Sequence, residues 1–248
     1  MLDAGSPERP TTKASGRLSQ VLMRLLMRRA TIAAAEPLPG RFHLITLEGE
    51  GLRDIAWTPG QKVQVAMGSA FVARTYTPMT WNADAGRTCI LGYAHGSGPG
   101  SDWIRTVRPG DECDLFSPRK SLDISLITAP LMVFGDETSL ALAYALAQPD
   151  PDRAVTCHFE VADARATQEV LQQLGLVSAY LYPRAHDDRH LAELEAAISR
   201  QLAGDPVFVL TGRAAAVQRL HRHLRLAGVA AARIHTKAYW APGKTGMD

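Results

Sequence analysis

The stretch Arg74-Thr75-Tyr76-Thr77-Pro78 reads as the end of a β-strand, and its side chains decide what kind of fold must surround it. Alternate strand positions share a face, so Arg74 and Tyr76 project together, with the Thr77 hydroxyl directly after them. This set offers a guanidinium for a phosphate, a ring for stacking and a hydroxyl for a heteroaromatic nitrogen. Downstream lies His95-Gly96-Ser97-Gly98-Pro99-Gly100-Ser101-Asp102-Trp103, a glycine-rich turn predicted to open a short helix at Ser101. Gly96, Gly98 and Gly100 carry no Cβ, which lets backbone approach a phosphate closely. Ser101 is placed to cap the helix, whose first N–H groups have no partner within it and suit a second phosphate contact. Together the two segments describe a pocket for a dinucleotide that carries a flat ring.

Outward from this stretch the first half of the chain alternates apolar and polar residues in short runs. Ala30 to Ala35, Phe42 to Leu47, Gln61 to Met67, Val72 to Thr77, Thr88 to Ala94 and Glu112 to Phe116 read as strands. Turn signals separate them, among them Thr58-Pro59-Gly60, Asp84-Ala85-Gly86 and Pro109-Gly110-Asp111. Short strands at this spacing predict a small six-stranded antiparallel β-barrel. The texture then changes. Leu131 to Phe134, Val155 to Val161, Ser178 to Tyr182 and Pro206 to Leu210 read as strands. They alternate with helical patterns at Thr138 to Ala147, Gln168 to Leu174, His190 to Leu202 and Arg213 to Ala227. That alternation predicts an α/β domain with a parallel sheet covered on both faces. The expected division is a disordered tail over 1–16, a barrel domain over 17–122 and an α/β domain over 123–248. The barrel domain would begin with an amphipathic helix carrying Leu18, Val21, Leu22, Leu25 and Leu26.

Composition narrows the function classes. The chain has 248 residues, 46% hydrophobic and 21% charged, with a formal net charge of +2. So small a charge, with its basic residues scattered, argues against a nucleic-acid partner. Cys89, Cys113 and Cys157 are far apart and form no CxxC, which argues against a zinc or iron–sulfur site and against a disulfide framework. His186 and His190 stand four apart, but Asp187-Asp188 between them reads as a loop or helix start, so no metal site is expected. No apolar run is long enough for a membrane span, and arginines interrupt the apolar N-terminal stretch. The chain reads as cytoplasmic, without stable membrane insertion.

Arg74-Thr75-Tyr76-Thr77 resembles the RxY[ST] flavin motif of the ferredoxin–NADP reductase superfamily. Three more segments follow in order: His95-Gly96 to Trp103, Gly135-Asp136-Glu137-Thr138-Ser139-Leu140, and Lys237-Ala238-Tyr239-Trp240-Ala241-Pro242-Gly243. They narrow the resemblance to the siderophore-interacting proteins, FAD-dependent ferric-siderophore reductases.

The resemblance implies FAD as cofactor, NADH or NADPH as electron donor and a ferric siderophore as substrate, in a monomer or weak dimer. It implies that Arg74, Thr75, Tyr76, Thr77, His95, Gly98, Gly100, Ser101 and Trp240 surround the flavin. Arg74 would meet the pyrophosphate, Tyr76 would pack on the ring, and Thr77 would bond near N5. Thr77 and His95 would lie nearest the chemistry, His95 as a proton relay or as a structural hydrogen-bonding residue. Gly135, Asp136, Glu137 and Thr138 would face the nicotinamide and its pyrophosphate at the carboxyl edge of the second sheet, where open α/β sheets bind ligands. The other reading of these four is plain capping, with Thr138 as the cap. Gly212 and Arg213 repeat the strand–turn–helix geometry at a carboxyl edge, where Arg213 would meet a nucleotide phosphate or would simply be a surface residue. Lys237, following a terminal strand, and Arg119 and Lys120 in the linker would steer an anionic chelate. Relatives usually carry a basic residue after the proline, where this chain has Met79. Two alternatives stay open: an NAD(P)H-dependent flavoprotein with another acceptor, or a siderophore-binding module without turnover.

Overall fold

The computed structural model describes residues 27–69, 72–122, 124, 126–150, 152–176 and 178–244. The expected tail over 1–16 and the helix from Leu18 to Leu26 lie outside the described residues.

Seven strands form the first sheet: β1 (Met27–Pro37), β2 (Phe42–Glu48), β3 (Lys62–Ser69), β4 (Val72–Tyr76), β5 (Pro78–Asn82), β6 (Arg87–Tyr93) and β7 (Glu112–Arg119). Their order is β4-β3-β7-β1-β2-β6-β5, every pairing is antiparallel, and the sheet does not close. This corrects the expected closed, six-stranded barrel. The additional strand is β5, hidden in the sequence because it starts at Pro78, directly behind the motif. A proline is tolerated there because β5 is an edge strand and Pro78 its first residue, so the missing N–H forfeits no ladder bond. β4 and β5 are opposite edges of the sheet yet only Thr77 separates them in the chain. The sheet therefore curls until its edges meet at Thr77, without pairing to each other. Ile32, Ile45, Leu47, Val63, Val65, Ile90 and Leu115 fill its interior, each buried. Every such side chain contributes about 1.5–3 kcal/mol.

The second sheet contains β8 (Leu131–Asp136), β9 (Val155–Val161), β10 (Ala179–Pro183), β11 (Val207–Arg213) and β12 (Ile234–Trp240). All its pairings are parallel, in the order β10-β9-β8-β11-β12. The period-two rule assigns its faces. Leu131 and Val133 of β8, with Val207 and Val209 of β11, join the core beneath α2 (Leu140–Ala147) and α3 (Ala164–Gln173). Met132, Phe134, Phe208 and Leu210 turn to the other side, against α4 (His190–Gln201) and α5 (Ala214–Leu226).

The two sheets share a core. α2 packs on β5 and β6 as well as on β8 and β9, which is why LALAYALA has no polar face. Phe42, Met79 and Leu91 of the first sheet belong to the same apolar cluster as Leu140, Leu142 and Leu146. Met79 is thus an interdomain packing residue. A basic side chain at that position would be buried in the seam.

Candidate functional site

A pocket opens where the curled sheet meets the carboxyl edge of the parallel sheet. Its walls include Arg74, Thr75, Tyr76 and Thr77, then His95 and Ser97 to Ser101, and finally Thr138, Lys237, Tyr239 and Trp240. Segments far apart in sequence meet here, and each has a local reason for its position.

Gly98 ends the turn at φ 131°, a backbone conformation that disfavours a side chain, and α1 (Pro99–Thr106) begins directly after it. The helix starts two residues earlier than expected. Pro99 occupies the first helical position, where its fixed φ is preorganised and its missing N–H costs nothing. Ser101 therefore lies buried in the first turn instead of capping it. Gly100 lets the helix press onto β4: a Cβ there would stand 3.0 Å from Arg74 Cγ and 3.5 Å from the Tyr76 hydroxyl. One guanidinium nitrogen of Arg74 donates to the Ala73 carbonyl at 2.8 Å, which fixes the side chain while its other donors remain along the pocket wall. The result is a guanidinium beside the unsatisfied N–H end of a helix, a cradle shaped and charged for a diphosphate. The Tyr76 ring tilts against Trp103 with centroids 5.7 Å apart, and burial pushes its phenol far above the usual range, so it stays protonated. These residues fit FAD: a diphosphate cradle next to an aromatic wall and a hydroxyl at Thr77.

Lys237 to Trp240 of the C-terminal signature form the end of β12, where the sequence placed them after a strand, and Ala241 to Gly243 follow it. Register against β11 pairs Gly212 with Ala238 and Arg213 with Trp240, leaving Tyr239 as a bulge. Consecutive strand residues normally face opposite ways; the bulge re-aims them, and Tyr239 and Trp240 both line the pocket. The Tyr239 hydroxyl bonds with the Thr77 and Thr211 side chains, and burial raises its pKa to about 12. Trp240 stacks on His95 with centroids 5.5 Å apart and donates its indole N–H to Asp136 Oδ2 at 2.6 Å. His95 also faces Tyr93, at 6.4 Å. Desolvation lowers the His95 pKa below 6.5, so the ring is neutral at pH 7.

The carboxyl-edge residues are differently engaged from what their sequence suggests. Thr138 reaches the pocket; Gly135, Asp136, Glu137, Gly212 and Arg213 are not among its lining residues. Asp136, not Thr138, caps the turn after β8, accepting from the Thr138 N–H at 2.9 Å. Burial raises the Asp136 pKa from 3.8 to about 6. Glu137 accepts from the Tyr93 hydroxyl at 3.2 Å, the Ala162 N–H at 2.6 Å and Arg184 at 2.7 Å. Arg213 forks onto Glu160 at 2.7 and 2.8 Å and reaches Asp188 at 2.7 Å. His190 accepts the Ala185 N–H on Nδ1 at 3.1 Å and so donates from Nε2 to Glu160 at 2.7 Å. Burial alone would raise the Glu160 carboxyl, but bonds from Arg213 and His190 outweigh it and hold it below its usual range. The hydrogen bond from Arg213 lowers Asp188 in the same way.

Arg119, expected in the linker, is the last residue of β7, paired with Lys62 of β3; its guanidinium lies 4.8 Å over the Phe116 ring, and neither it nor Lys120 lines the pocket. Lys62, Ser121 and Lys244 do, and sequence reasoning missed all three. Lys62 precedes Val63, the partner of Tyr76 across β3 and β4, so only the strand register brings it to the motif.

A curled antiparallel sheet with a diphosphate-shaped cradle, facing the carboxyl edge of a parallel sheet, gives the fold of the ferredoxin–NADP reductase type. A family model for the siderophore-interacting FAD-binding domain matches residues 60–122, and one for the siderophore-interacting protein matches residues 128–243. The chain belongs to the siderophore-interacting protein family. Solved structures agree in fold. The siderophore-interacting protein SipS from Aeromonas hydrophila is 21% identical with TM-score 0.71, over 88% of this chain and 93% of that one. A siderophore utilization protein from T. fusca is 22% identical with TM-score 0.69, over 90% and 95%. Phthalate dioxygenase reductase is 14% identical with TM-score 0.72, over 88% and 70%. No curated sequence matches the chain significantly.

Proposed function

We propose that this protein reduces a ferric siderophore, drawing electrons from NADH or NADPH, so that iron leaves the chelate as Fe(II). The observation that carries this reading is the cationic rim of the flavin pocket: Lys62, Lys237 and Lys244 join Arg74 around one opening. Such a rim draws in an anionic chelate. When bound, FAD supplies the step between a two-electron hydride donor and a one-electron ferric acceptor, so one NAD(P)H serves two ferric chelates. Hard oxygen ligands hold Fe(II) far less tightly than Fe(III), and reduction therefore releases the metal.

The residues of the chain orient and enclose. Arg74 and the start of α1 hold the diphosphate, with Thr75, Gly98 and Gly100 shaping the cradle. Tyr76 and Trp240 form walls of the ring site. Thr77 presents its hydroxyl beside the ring, held by Tyr239, and neutral His95 is the group at the rim able to accept a proton. The nicotinamide would meet this edge at Thr138, the residue of Gly135–Thr138 that reaches the pocket, with Gly135 and Gly212 packed behind it. Asp136, Glu137 and Arg213 support that edge from within, since their side chains are held in internal bonds. Arg119 and Lys120 contribute to the field outside the mouth.

The test is anaerobic turnover of an anionic ferric siderophore, followed with a coloured Fe(II) chelator and compared with free flavin and quinones as acceptors. Reduction of the chelate in preference to the others supports the reading; reduction of the others alone overturns it in favour of another acceptor. Lys237→Ala provides a sharper prediction. It should raise KM for the ferric siderophore several-fold at low salt, and less at physiological salt, where screening acts over about 8 Å. Flavin reduction by NAD(P)H, followed by stopped flow, should stay near wild type.

A further inference from the structure

Asp136 lies outside the pocket but is fully buried at the end of β8, and its carboxyl only accepts. Its Oδ2 takes the indole N–H of Trp240 at 2.6 Å, and its Oδ1 takes the Thr138 N–H at 2.9 Å together with the Thr138 hydroxyl. Each oxygen therefore faces an N–H that can only donate. A carboxylate accepts at both oxygens, whereas a neutral amide in either orientation would set its own N–H against one of them. The space is equally specified. A Cβ on Gly212 would stand 2.6 Å from Asp136 Oδ2, and Gly212 has φ 91°, a region side chains disfavour. Gly212 also lies at the register shift that produces the Tyr239 bulge and turns Trp240 to the pocket.

We propose that Asp136 is a positioning residue for the flavin site: through the indole N–H, and with Gly212 leaving it room, it fixes Trp240 as a wall of the pocket. Asp136 touches no cofactor itself. It acts through Trp240, whose ring is braced on its other side by His95 of the first domain. Without the carboxylate the indole would swing on its side-chain torsions, and the stack that closes the pocket would loosen. This inference rests on the flavin reading of the pocket.

The test measures FAD dissociation constants, by quenching of flavin fluorescence, for wild type, Asp136→Asn, Trp240→Phe, Trp240→Ala and the Asp136→Asn/Trp240→Ala pair. Asp136→Asn should weaken FAD roughly ten-fold, the scale of a hydrogen bond to a charged group. Trp240→Phe keeps a ring but has no N–H to donate, so it should shift affinity in the same direction even if the Asn variant folds poorly. In the Trp240→Ala background the Asp136→Asn change should add nothing further, because the residue it positions is gone. A Trp240→Phe protein that binds FAD like wild type would overturn the proposal. So would an Asp136→Asn effect of equal size with and without Trp240, which marks a general structural role. A wild type that binds no FAD would instead sink the flavin reading itself.

Discussion

Replacing Glu160 by Gln should cost about 3–5 kcal/mol of folding stability, the scale on which removing one partner of a buried ion pair acts. Glu160 is 1% exposed and receives the Arg213 fork and the His190 N–H together. A neutral amide cannot accept both arms of the fork, so Arg213 would retain only Asp188 as a charged partner. Urea unfolding at pH 7, monitored by circular dichroism, measures the loss; a change below about 1 kcal/mol would mean that the network is not a stabilising unit. The pH dependence has a definite sign. Glu160 and Asp188 are held below their ordinary values, so their contribution is complete above the unfolded carboxylate range near pH 4. It fades as pH falls through the depressed folded values, and the gap between variant and wild type closes in that acid range. Asp136 runs oppositely. Its pKa is raised to about 6, so its ionisation costs stability that is regained on acidification from pH 6 towards 4.

Arg74→Ala should weaken FAD about 10- to 150-fold, the loss of a charge-assisted phosphate contact of roughly 1.5–3 kcal/mol. The fold should survive, because the guanidinium bonds its own neighbour's carbonyl at Ala73 and none of the core side chains. Titration of the apoproteins with FAD measures the ratio directly. Equal affinities in the two proteins would move the diphosphate away from the start of α1.

Much of this was legible in the sequence because it is local. Strand alternation, the glycine-rich turn ahead of α1 and the β-α spacing after Leu131 each depend on neighbouring residues alone. What was illegible depends on partners distant in the chain. β5 was hidden because Pro78 reads as a terminator unless its edge position is known. The roles of Asp136, Glu137 and Arg213 were misjudged by their type: a charge at a sheet edge suggests a ligand until Glu160, Asp188 and Arg184 appear beside it. Lys62 and Lys244 carry no motif, and only strand register and the turn after β12 bring them to the rim. Met79, which as sequence is a missing basic contact, is a buried residue of the interdomain core.

The most direct test of the account is an anaerobic absorbance titration of the purified protein with FAD. The protein should take up FAD stoichiometrically, NADH or NADPH should bleach the bound chromophore's visible band, and an anionic ferric siderophore should restore it while Fe(II) accumulates. A protein that takes up no FAD, or one whose bound FAD neither pyridine nucleotide can bleach, would contradict the assignment of this pocket to a flavin-dependent reductase.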